Sequence, residues 1–213
     1  MGLDLCVEGC AKPGFEAECR DILQRSFSGE GRKGDKDRFD EISVPAYENL
    51  GAPRVGKNPD ANEWLINAAG TEGEDEIADL LAEHDGYYVL DLVPCDGLAP
   101  YTHGGIFDQL DKTSFRGSFL KDCSDILSEE QIDDAWEHKL PEDSVAYGDT
   151  LLLARKNPIN PKGPKRPGLL SWIGIGSGDD DYVSMREQRK IVEAAGRWYV
   201  FWGKHGHSIR AWY

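Results

Sequence analysis

In the segment YYVLDLVPCDGLAPYTHGG, Tyr87 to Gly105, Cys95 and Asp96 follow an apolar run that Pro94 ends, and Tyr101 and His103 lie a short way on. A cysteine attacks as its thiolate, so it needs a base for its proton and a third group to orient that base. Cys95 as nucleophile, His103 as base and Asp96 as orienter supply these types on one loop. The trio would suit a small cysteine-dependent hydrolase or transferase, with Tyr101 as a binding residue. The spacing matches no thiol-enzyme pattern, however, and a small apolar cysteine filling a gap beside a loop histidine accounts for the same residues.

A second set is His205 and His207. An H-x-H pair on extended backbone points both imidazoles to one side and could chelate a metal. Gly206 between them marks a helix end, where histidine is favoured simply by the negative pole of the helix. Cys6, Cys10 and Cys19 lack the C-x2-C knuckles of a zinc site and suit packing. No motif indicates a cofactor. In IGIGSG the glycines Gly174, Gly176 and Gly178 are evenly spaced and run into Asp179, Asp180 and Asp181, which repel phosphate.

Asp91 is a third feature. On strand alternation it shares a face with Tyr87, Val89 and Val93, and a carboxylate on that face requires a donor such as Arg116 or Arg210. The aromatic C-terminus, with Trp198, Tyr199, Phe201, Trp202, Trp212 and Tyr213, reads as a core wedge. The alternative is an exposed patch for a partner or a second copy of the chain, with Trp202 and Trp212 as binding residues.

These residues need elements to position them. GLDLCVEG alternates as a half-buried strand near 2–8, and YYVLDLV reads as a strand over 87–93. The tail HSIRAWY could add a strand over 208–213. Helical stripes occur in FEAECRDILQRSF, EDEIADLLAEHDG, FRGSFLKDCSDIL and SMREQRKIVEAAGRWYVFWGKHG. PDANEWLINAAG reads as a helix from Pro59 and Gly70, and LPEDSVAYGDTLLLARKN from Pro141 and acids early with Arg155 and Lys156 late. Ser128 with Gln131, and Ser184 with Glu187, have capping-box spacing. A Gly-rich charged stretch near 28–38 reads as a mobile loop. Prolines every third residue near 157–168 read as an extended brace. The expected fold is one mostly helical α+β domain over 1–213, a small sheet covered by amphipathic helices.

The net charge of −15 excludes general affinity for nucleic acid and disfavours anionic membrane surfaces. The N-terminus lacks the pattern of a signal peptide, and five scattered cysteines fit reduced thiols, so the expected location is cytoplasmic. Acid-rich helical faces at 72–85 and 129–143 favour a binding or regulatory protein, immunity- or inhibitor-like in class, that meets a basic protein partner. The cysteine-enzyme reading carries its own expectation: Cys95 alkylates with iodoacetamide near neutral pH much faster than Cys6 or Cys19. Equal, slow labelling in peptide mass spectra removes it.

Overall fold

The computed structural model describes residues 2–94, 112–161 and 183–213. It is a mostly helical α+β structure with two small antiparallel sheets. Strand β1 (Asp4–Val7) leads to the short β2 (Cys10–Ala11), then to helices α1 (Glu16–Phe27) and α2 (Asp35–Ile42). After β3 (Ser43–Val44) come the single turn α3 (Ala46–Asn49), α4 (Pro59–Ala69) and α5 (Glu74–Glu83). A 3-10 turn at Leu90–Leu92 precedes β4 (Ser114–Phe115) and a 3-10 helix, Gly117–Cys123. Helix α6 (Glu129–Asp133) and the 3-10 turn Asp134–Trp136 lead into α7 (Pro141–Lys156), and the chain closes with α8 (Met185–Lys204) and β5 (Ile209–Trp212).

The main sheet runs β4-β1-β5, with Leu5 opposite both Phe115 and Ala211. Alternation explains it: Leu3 and Leu5 are fully buried while Asp4 points to solvent, and Ile209 and Ala211 are buried on the partner strand. The sheet packs against α8, whose Trp198, Tyr199 and Trp202 are among the largest fully buried side chains. That core also takes Leu120, Ile126, Tyr147 and Leu151. A satellite cluster under α1 and α2 holds Cys19, Leu23, Phe39 and Leu140. Another, Val55, Ala61, Leu65 and Val89, lies under α4 and α5.

Helix ends follow local chemistry. Ser128 accepts from the Gln131 amide while the Gln131 side chain accepts from the Ser128 amide, completing a capping box. Ser184 accepts from the Glu187 amide. Asn58 caps α4, Pro59 occupies its first turn, and Gly70 closes it with a left-handed φ of 66°.

Three expectations are corrected. Residues 87–93 form no strand. The pairing with residues 53–55 ends at Val89, which enters the cluster under α4 and α5, and the chain then turns through Leu90–Leu92, with Leu90 entering the main core. FRGSFLKDCSDIL is a short strand followed by a 3-10 helix. Phe115 pairs with Leu5, and a Cβ on Gly117 would stand 2.7 Å from Leu3 Cδ2. In the stretch 28–38 the last four residues belong to α2, because Asp35 accepts from the Arg32 amide and pairs with Arg25 at 2.8 Å. Of the Pro-rich segment near 157–168, residues 162–168 lie outside the described residues, as does IGIGSG.

Helices α7 and α8 make the most extensive contact between elements. They run antiparallel, with Gly203 against Pro141 and Val145, Gly148 against Gly196 and Val200, and Arg155 paired with Glu193. A Cβ on Gly148 would lie 2.7 Å from the Gly196 carbonyl oxygen, and one on Gly203 would lie 2.6 Å from that of Pro141. Backbone meets backbone at both points. Gly148→Ala should therefore destabilise by about 1–3 kcal/mol net, overpacking outweighing the roughly 1 kcal/mol that alanine gains in helix propensity. Urea unfolding checks the sign, and unchanged or increased stability would show that the helices can separate freely.

Candidate functional site

A groove of about 580 Å³ lies between the α3 turn and the segment after α5. Its geometry starts from a short antiparallel pairing of residues 53–55 with 86–89. The Val55 amide donates to the Tyr87 carbonyl at 2.8 Å, Gly86 to Val55 at 3.0 Å, and Val89 to Pro53 at 2.9 Å. Arg54 and Tyr88 face each other across this pairing. The Arg54 guanidinium accordingly sits 4.9 Å from the Tyr88 ring centroid, and its Nε donates to the Gly86 carbonyl at 3.1 Å. Gly86, at φ 87°, leaves room for it, since a Cβ there would meet Arg54 Nη2 at 2.9 Å.

Tyr47 stacks on Tyr88, with centroids 4.1 Å apart and planes 19° from parallel. The Tyr88 hydroxyl donates to Glu48 at 3.3 Å, and burial pushes its phenol up, which keeps that donor protonated. Exposed Tyr87 and Asp85, buried Leu90 and half-buried Thr113 complete the lining.

Asp91 anchors one edge of the groove. It pairs with Lys112, whose side chain is 6% exposed against 32% for Asp91. The expected partners are otherwise engaged: Arg116 pairs with Asp4, and Arg210 with Glu8. A buried ammonium needs such a partner, so the pair fixes the chain on both sides. The Lys112 carbonyl accepts from Trp198 Nε1 at 2.8 Å and from Trp202 Nε1 at 3.0 Å. This corrects Trp202 as a surface binding residue, because its ring is fully buried and its one donor is used. Trp212 is different, 60% exposed, with the Arg210 guanidinium 5.6 Å from its ring.

The H-x-H pair does not converge as a chelate. His207 is fully buried, donates from Nδ1 to the Glu8 carbonyl at 2.8 Å, and receives the Asn49 amide at Nε2 at 3.1 Å. Both ring nitrogens are thereby used. His205 donates from Nδ1 to the Phe201 carbonyl, one turn back, at 2.8 Å. Among the described residues no cluster of three or more histidines, cysteines or acids could hold a metal ion. Cys95, Asp96, Tyr101 and His103 lie outside the described residues.

The two acidic stretches belong to separate packing clusters. Helix α5 rests on the satellite under α4 through Leu80 and Leu81, whereas Ile132, Ala135 and Trp136 of the second stretch join the main core. In the second stretch Asp134 pairs with Lys139, and Glu142 with Arg20. The groove was not legible in the sequence, because Tyr47, Arg54 and Tyr88 come from an irregular segment and a misread strand. The signal that could have found it is the lack of any Lys or Arg between Lys57 and Lys112.

No family model, no curated protein and no solved structure matches this chain. Among the described residues no helix is long and apolar enough to cross a membrane.

His207 makes stability depend on pH. Burial, the largest cause, lowers its pKa from 6.5 to about 4, so the folded state binds a neutral ring that the unfolded chain would protonate. The stabilisation is intact above pH 6.5 and is lost as pH falls toward 4, on the order of 3 kcal/mol in all. Burial lowers His138 likewise, where Nδ1 accepts from the Ala211 amide at 3.1 Å. Urea midpoints between pH 7.5 and 4.5 should fall more steeply for the wild type than for His207→Asn, and parallel slopes would contradict the assignment.

Proposed function

We propose that the protein is a non-enzymatic binding or regulatory protein that meets a basic protein partner through the acidic face of α5, with the adjoining tyrosine groove receiving a cationic side chain. The observation that supports this is a segregation of charge. Nine carboxylates lie between Asp60 and Asp85, all exposed, and none forms an ion pair among the described residues. Elsewhere several acids are paired with cations: Glu18 and Glu41 with Arg38, Asp35 with Arg25, and Glu193 with Arg155 and Arg197.

Helix stability alone does not explain this placement. Glu74, Asp75 and Glu76 suit the positive pole of α5, but the last turn carries Glu83 and no basic residue. Asp79 and Glu83 are like charges at i,i+4, which costs a few tenths of a kcal/mol. The compensation would come from a basic surface. Tyr87 is 42% exposed, and the groove's acids, Glu48 and Asp85, would flank an inserted Lys or Arg.

A fluorescein-labelled peptide of repeated Arg and Gly provides the probe, read by anisotropy against an Asp-Gly control. The basic peptide should bind at low salt and weaken steeply as NaCl approaches physiological strength, where the Debye length shrinks to about 8 Å. The double variant Asp79→Lys with Glu83→Lys should weaken it about tenfold, and Tyr87→Ala about threefold. No binding at low salt, or binding indifferent to the charge reversal, would refute the reading.

A further inference from the structure

The tyrosine groove already holds a cation of its own. Arg54 and Tyr88 are opposite each other in the ladder, yet the backbone hydrogen bonds run on either side of them, from Val89 to Pro53 and from Val55 to Tyr87. Side chains stand closest at such a position of an antiparallel pair. Val55 and Val89 are fully buried, so alternation turns their neighbours Arg54 and Tyr88 to the outer face. The guanidinium is thereby brought to the Tyr88 ring, 4.9 Å from its centroid, where Nε donates to the Gly86 carbonyl at 3.1 Å.

This cation is lightly held. Arg54 is exposed and forms no ion pair among the described residues, although Glu48 and Asp85 line the same groove. Among the described lining residues it alone is basic. Cation–π contacts at exposed sites are weak, and exposed side chains change rotamer within nanoseconds. Arg54 therefore exchanges between ring and solvent, and any other cation that uses Tyr88 competes with it.

The contact also specifies what the ring accepts. A guanidinium is flat and spreads its donors, so it can lie against an aromatic ring and donate to a carbonyl together. An ammonium is a compact, strongly hydrated charge without that shape. Gly86 leaves space for the flat group, since a Cβ there would stand 2.9 Å from Arg54 Nη2.

Resting on the partner reading above, we infer that Tyr88 is an arginine seat which Arg54 closes in the free protein, and that a partner's arginine binds by displacing Arg54. Closure lowers the apparent affinity by the fraction of molecules in which the seat is open. The wild type thus binds a basic partner less tightly than its groove allows.

The labelled Arg-Gly peptide, titrated at low salt into the wild type, Arg54→Gln and Lys57→Gln, provides the test. Lys57 is exposed and is not among the residues lining the groove, so its replacement removes the same charge without opening the seat. Arg54→Gln should tighten binding at least about threefold, and Lys57→Gln less than about 1.5-fold. In the wild type the Arg54 Nε–H resonance should shift saturably as peptide is added, and a Lys-Gly peptide should bind about threefold more weakly than Arg-Gly. A gain in Arg54→Gln no larger than that in Lys57→Gln, an Arg54 resonance that stays fixed while peptide binds, or no preference for arginine would overturn the inference and leave the partner reading standing. No binding to either the wild type or Arg54→Gln would remove both.

Discussion

The fold depends on how closely α7 can approach α8. Gly148, Gly196 and Gly203 let the two backbones meet where any side chain would intervene, and larger residues fill the space on either side. Close approach turns weak dispersion into a large sum, because each atom finds a partner at contact distance. With α8 seated in this way, its Trp198 and Trp202 face the sheet and place their indole donors at one point, the Lys112 carbonyl. Two strong donors on one carbonyl then fix the chain where it enters β4.

The same anchor reaches the candidate site. Lys112 carries its ammonium to Asp91, and Asp91 sits in the turn that ends the 86–89 pairing with 53–55. Core packing, an indole pair, an ion pair and a short ladder thus connect α8 to the stacked rings of Tyr47 and Tyr88. The groove is tied in this way to the helix pair with the most extensive contact. Its front, α5, buries no residue fully and rests on a small cluster, so it belongs to the low-stability end of the structure.

The sequence revealed elements with local causes. Helices α1 and α8 follow from apolar periodicity, α4 and α7 from proline, glycine and charge at their ends, and Ser128, Ser184 and Gly70 mark ends through side-chain or φ chemistry that needs no distant partner. Strands β1 and β5 follow from alternation. Tyr87 to Val93 misled because aromatic and β-branched residues suit any half-buried surface, and the division of Val89 and Leu90 between two clusters is set by segments distant in sequence. The interhelical glycines were equally opaque, since glycine within a helical pattern reads as a weakness until the facing backbone is known. The groove draws its walls from segments far apart in sequence, and local pattern carries no information about such meetings. Asp91 was legible as a carboxylate that required a donor, but the identity of that donor was not.

Pairing of β1 with β5 joins residues about 200 positions apart, Asp4 with Trp212 and Val7 with Ile209. A contact of that separation can form only after most of the chain has been made and ordered, and closing so long a loop is slow relative to helix formation. During synthesis the edge of β1 that meets β5 therefore waits unpaired after the edge that meets β4 can form, and Leu3 and Leu5 lack the cover that α8 provides. The helices can assemble early from neighbours in sequence, and the sheet that seals them closes last.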